Sequence, residues 1–225
     1  MKKIVFILTL LLWAQNSFAE GECAAYQTMP ALKFSTSYGK LTYDKSKDYD
    51  ELTEVGKKYG IVEQGLFASG LALVDVAYKV TVDAYRQRVK RGVYCVIPAQ
   101  VNVFIGYQNP VILIAKDMDE NSCEYNVVLR HEQTHQQINV ATLRYFLPKL
   151  KEAVTTILKN TPPVEIGTTS KTEEATQELT DNYIKQITPL IDFLKKEVLK
   201  EQSKLDNHTN YQLEGDLCRY YNSHH

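Results

Sequence analysis

The sequence predicts an α+β fold: a small, mostly antiparallel sheet followed by a helical half. Two observations carry this. Short β-branched and aromatic runs, separated by Pro and Asn-Pro turns, fill the middle of the chain from Leu71 to Ala115. From Asn121 onward the apolar residues recur every three or four positions instead of every two. Strands first and helices afterwards is the order of an α+β domain.

The first 19 of the 225 residues read as a signal peptide. Met1-Lys2-Lys3 is a positive start, Ile4 to Trp13 an apolar run, and Ser17-Phe18-Ala19 places small residues at the cleavage positions. The apolar run is short for a membrane span, and no second apolar stretch of some 18 residues follows. We therefore expect a periplasmic or secreted protein, cut near Ala19, with no stable membrane insertion, and one domain over residues 20–225. Two of the 26 basic residues fall in the leader, so the remainder carries 24 basic and 27 acidic side chains. That mild negative balance argues against nucleic acid as a partner. The four cysteines, Cys23, Cys95, Cys123 and Cys218, contain no C-x-x-C spacing. In an exported chain an even count predicts two disulfides, with three pairings open.

Element by element, Phe34 to Tyr43 reads as a strand or hairpin, and Glu51 to Lys57 as a short helix. Leu71 to Val82, Arg91 to Ile97, Val101 to Tyr107 and Val111 to Ala115 read as separate strands. Asn121 to Leu147 reads as one helix, capped by Asn121 with Glu124 three residues on, and ended or kinked by Pro148. Lys149 to Lys159 reads as another helical segment. A long helix then starts near Ser170, which forms a capping-box pair with Glu173, and runs to about Leu205.

The chemical signal is His131-Glu132-Gln133-Thr134-His135. Two His four residues apart on a helix lie one turn apart on the same face. Their imidazoles can occupy adjacent corners of a tetrahedral zinc at about 2.0–2.1 Å. Glu132 emerges beside the metal, placed to take a proton from its water and hand it to a leaving amine. The pattern predicts a Zn²⁺-dependent hydrolase acting on a protein or peptide, with His131 and His135 as ligands and Glu132 as general base. The alternative is a non-catalytic periplasmic binding module that retains a metal site. The third ligand is open from sequence. His224 and His225 end the chain, which leaves His208 as the remaining internal His. Glu173, Glu174 and Glu178 are acidic alternatives at a helix start, and Asp206 and Glu214 are weaker ones.

The H-E-x-x-H resembles that of the zincin metallopeptidases. More narrowly, the layout resembles an uncharacterised bacterial family of predicted secreted zinc-dependent proteases. In that family a later motif has an Asp, a Thr three residues on, then His-Gly. Here Asp206-Asn207-His208-Thr209-Asn210-Tyr211-Gln212 matches at Asp206 and Thr209, while Tyr211 and Gln212 replace the His-Gly. The resemblance implies a zincin-like fold and a third ligand, with either His208 or Tyr211 facing the metal or the ligand coming from elsewhere in the chain. Tyr211 is also a candidate oxyanion donor, and Asp206 a candidate partner that orients a ligand His.

Overall fold

The computed structural model describes residues 21–62 and 65–224. The signal-peptide reading and His225 lie outside the described residues. The order of elements is β1 (Ala31–Ser35), β2 (Thr42–Asp44), α1 (Tyr49–Lys58), β3 (Gly70–Lys90), β4 (Val93–Ile114), α2 (Cys123–Asn160), β5 (Val164–Ile166), α3 (Thr172–Gln202) and α4 (His208–His224).

The α+β class holds, and the sheet corrects the expectation of a small, mostly antiparallel one. It is mixed, and it is built on a single strand. β4 pairs antiparallel with β3 and with β5, while β1 and β2 join it in parallel. β3 and β4 form one long hairpin closed by Arg91-Gly92, with Gly92 at φ 74°. A two-residue turn of this kind needs positive φ, which glycine adopts without strain.

The three separate strands expected between Arg91 and Ala115 are one strand, because the prolines that divide them sit at irregularities of the ladder. Asp83 pairs with Gln100 and Ala84 with Pro98, so the shift absorbs Ala99. Leu73 pairs with Val111 and Asp75 with Gln108, which leaves Asn109 and Pro110 in a bulge, with Asn109 at φ 50°. A bulge tolerates a residue that cannot donate to the ladder. The expected strand or hairpin over Phe34 to Tyr43 is likewise two short strands that pair with β4 and not with each other.

Alternation along β4 sends Val101, Val103, Ile105 and Tyr107 into the main core. There they meet Leu143, Phe146, Leu150, Val154 and Leu158 of α2, and Leu179, Tyr183, Ile187, Ile191 and Leu194 of α3. Nearer the end of β4 the faces divide. Ile112 and Ile114 pack with Tyr125 of α2, while Leu113 packs with Leu71 and with Leu52 of α1. α1 is held at its start by a reciprocal pair: Asp48 accepts from the Glu51 N–H, and Glu51 accepts from the Asp48 N–H, both at 2.9 Å.

α2 runs straight through Pro148, joining two helices expected to be separate. Proline removes one intrahelical donor, yet Leu143, Phe146, Leu150 and Val154 on both sides of it are buried in the same core. Burial of that stripe outweighs the one lost bond. The cap is Ser122, which accepts from the Tyr125 N–H at 3.0 Å, and not Asn121, whose side chain turns to Asp119. Nor does Ser170 cap α3: the helix follows a turn of 3₁₀ helix over Thr169–Lys171.

The two disulfides predicted from the cysteine count are Cys23–Cys95 and Cys123–Cys218. Among the described residues no helix is long and apolar enough to cross a membrane. The core reading predicts that Ile187→Ala, at a fully buried position, lowers the unfolding free energy by about 2–5 kcal/mol in a urea titration; a loss under about 1 kcal/mol would show that α3 does not seal the sheet.

Candidate metal centre

His131 and His135 project from consecutive turns of α2, and both are buried. Their Nε2 atoms are 3.0 Å apart. Asp206, in the junction between α3 and α4, brings Oδ1 to 3.1 Å from His131 Nε2 and 3.0 Å from His135 Nε2. Among the described residues, His131, His135 and Asp206 form a group that could hold a metal ion.

The outer nitrogens fix how the rings are used. His131 Nδ1 lies 3.0 Å from Glu214 Oε1, and His135 Nδ1 meets Gln202 Oε1. Both partners are acceptors, so each Nδ1 donates and each Nε2 of a neutral ring keeps its lone pair. When both rings are neutral, three lone pairs converge within 3.0–3.1 Å. Donors around a tetrahedral zinc at about 2.0–2.1 Å stand about 3.3 Å apart, so the spacing and the N/N/O chemistry fit a divalent ion.

Electrostatics give the same account. Burial alone would depress His131, but Asp206 and Glu214 overcome it and push its pKa up from 6.5 to about 9. His135 moves the same way, against its burial, through Asp206. Asp206 is drawn below the ordinary carboxylate range by its hydrogen bonds to both imidazoles, despite its own burial. The pocket calls for positive charge at its centre.

Glu132 is buried beside this group and not in it. Its carboxylate accepts from the Ala72 N–H of β3, and burial pushes its pKa up to about 7 against the pull of His135 and His131. Gly70, the first residue of β3, makes the approach feasible. A Cβ there would stand 2.7 Å from Val128 Cγ1 and 2.8 Å from Glu132 Cγ. Tyr211 donates to Asp206 Oδ1 at 2.8 Å, and its ring stacks on His131 at 5.3 Å between centroids. Its pKa is raised, first by burial and then by that bond to Asp206.

A buried amide network anchors the site to the sheet. Gln202 Nε2 donates to the His135 carbonyl at 3.0 Å and to Asn139 Oδ1 at 2.6 Å. Asn139 donates to Gln136, whose amide donates to the Leu73 carbonyl at 3.0 Å, at the β3 bulge. The irregularity that accommodates Pro110 thus also supplies an acceptor under the helix that carries His131 and His135.

The structure brings together His131, His135, Glu132 and Tyr211, as the sequence anticipates. His208 is exposed at the start of α4 and lies outside the group; the third position belongs to Asp206, which the sequence ranked low. Glu173, Glu174 and Glu178 are exposed at the opposite end of α3 from Gln202, with Glu178 about 36 Å away along the helix axis. Gln202 and the whole of α4 were missed. The usable signal for α4 was Tyr211, Glu214 and Cys218 at steps of three and four, a single helix face. No family model, curated protein or solved structure matches the chain.

Two outcomes follow for the protein stripped of metal by a chelator. His131 is raised from 6.5 to about 9, so its stabilising contribution is full below pH 6.5 and lost as pH climbs through 9. Glu132, raised from 4.5 to about 7, contributes fully below pH 4.5 and loses its contribution as pH climbs through 7. The urea midpoint of the stripped protein therefore falls between pH 5 and pH 9; a midpoint that rises across this interval contradicts the geometry. Gly70→Ala crowds Val128 and Glu132 and lowers stability by about 1–3 kcal/mol in the same titration. No change there would mean that β3 does not press on Glu132.

Proposed function

We propose that the protein is a zinc-dependent peptidase that hydrolyses amide bonds of protein or peptide substrates in the periplasm or outside the cell. The observation that carries this reading is the meeting of two Nε2 atoms and one carboxylate oxygen at 3.0–3.1 Å, with a buried glutamate alongside that takes no part in the group. His131, His135 and Asp206 would hold the ion. Among the described residues the group offers three protein donors, the count of a site that leaves a position for water or substrate. An H-E-x-x-H helix lying against the first residues of a strand supports a zincin-like arrangement.

When bound, zinc supplies Lewis-acid polarisation of a carbonyl and makes water acidic enough to ionise near neutral pH. The remaining roles belong to the chain. Glu132, buried beside the ion position, takes a proton from the attacking water onto a carboxylate oxygen and passes it to the departing amine nitrogen. The Ala72 N–H holds that carboxylate in place. Glu214 and Gln202, accepting at the two Nδ1 atoms, orient both rings with Nε2 toward the ion. Tyr211, whose hydroxyl donates to Asp206 Oδ1 beside the ion position, would donate to an oxygen that gains negative charge.

A groove between α2 and α3, lined by Thr142, Tyr145, Phe146 and Phe193, lies farther along α2 from His135. Thr142 is seven positions beyond His135 and so shares its face of α2. Two disulfides support an oxidising compartment.

Glu132→Gln should retain one equivalent of zinc by elemental analysis and lose at least a hundredfold of chelator-sensitive cleavage of denatured casein. Tyr211→Phe should retain zinc with a smaller loss, and Asp206→Ala should lose the metal. Full activity in Glu132→Gln refutes the peptidase reading. Wild-type protein that holds zinc but cleaves nothing is a metal-bearing binding module.

A further inference from the structure

Asp206, Tyr211 and Glu214 lie within nine residues of one another, at the start of the last segment of the chain. That segment is weakly embedded. Cys218 is the buried residue of α4, whereas Leu213, Leu217 and Tyr220 are more than half exposed. No residue of α4 belongs to an apolar cluster. Its ties to α2 include the Glu214–His131 hydrogen bond, the Tyr211–His131 stack, a 3.2 Å bond from Asn222 to Glu124, and the Cys123–Cys218 disulfide.

That covalent tie is well placed to aim the segment. Cys123 is the first residue of α2, eight positions before His131 and about 12 Å from it along the axis. Cys218 follows Glu214 by four positions and Tyr211 by seven, so the bond turns their shared face toward the imidazoles. Polar contacts at a partly exposed surface compete with water and hold a helix weakly. A covalent link keeps the segment at high effective concentration beside its partner.

We propose that the Cys123–Cys218 disulfide is a positioning element of the metal centre, so that the ion is retained only while this bond is oxidised. The inference rests on the reading of His131, His135 and Asp206 as ligands and is independent of peptidase activity. Opening the bond consumes two electrons and two protons, drawn from a dithiol that closes to its own disulfide, and leaves Cys123 and Cys218 as two thiols. Asp206 and Glu214 are then joined covalently to α2 only through α3, and otherwise by polar contacts alone. Cys23–Cys95 offers the contrast. It packs with Ile97 in a separate cluster and contacts none of the site residues.

The test is zinc affinity of the full chain, measured by competition with a chelating dye. Cys123→Ser/Cys218→Ser should bind at least tenfold more weakly than wild type, and Cys23→Ser/Cys95→Ser within about twofold, once each is folded by circular dichroism. Equal affinity in the first variant overturns the proposal. Should that variant not fold, zinc-loaded wild type is treated with a phosphine, which reduces the disulfide by becoming the phosphine oxide and adds no competing thiol. Zinc release in step with the opening of Cys123–Cys218, reversed on reoxidation, supports the proposal; an open bond with zinc retained defeats it. Wild-type protein that takes up no zinc defeats the ligand assignment itself, which separates the two failures.

Discussion

Two imidazole lone pairs and a carboxylate oxygen cannot share a three-ångström triangle unless something positive stands among them. That constraint organises the C-terminal half of the molecule. α2 fixes the spacing of the two rings, since a single turn separates His131 from His135. α3 is long enough to deliver Gln202 to the rear of one ring, and α4 delivers Glu214 to the rear of the other. Between them the chain bends so that Asp206 faces both. Without an ion, a proton on the imidazoles supplies the positive charge that Asp206 and Glu214 demand.

The sheet contributes rigidity and one specific contact. Glu132 would be a buried carboxyl without a partner if β3 did not present an N–H at Ala72 and a bare Cα at Gly70. Its position is thus set by backbone, which moves less than a side chain would. The amide relay from Gln202 through Asn139 and Gln136 reaches the same strand from the other direction. Helix and sheet are therefore joined at the site by hydrogen bonds, while farther along α2 they are joined by apolar packing.

What could be read from residues alone was local. A five-residue motif on a helical face reveals its own geometry, so His131, Glu132 and His135 were legible, as was Tyr211 through its neighbours in sequence. Asp206 was legible only as a weaker ligand candidate, because a carboxylate 71 residues from His135 becomes a neighbour through the path of α3 and α4, which no periodicity encodes. A search for a third histidine also misdirected attention to His208. The β-rich middle was visible as runs of Val, Ile and Tyr, but Pro98 and Pro110 read as strand ends when β4 in fact takes them up at register shifts and continues. Pro148 misled for the opposite reason: burial on both sides carried the helix across it. Parallel pairing of β1 and β2 leaves no local trace, since neither strand contacts its neighbour in sequence.

Because β1, β2, β3 and β5 all pair with β4, the sheet has a hub, and the hub imposes an order of events. The β3–β4 hairpin can zip from its two-residue turn at little entropic expense. β1 and β2 have no template until β4 exists, although both leave the ribosome before it. The N-terminal stretch from Ala31 to Asp44 must therefore wait, unpaired, for a strand made some fifty residues later.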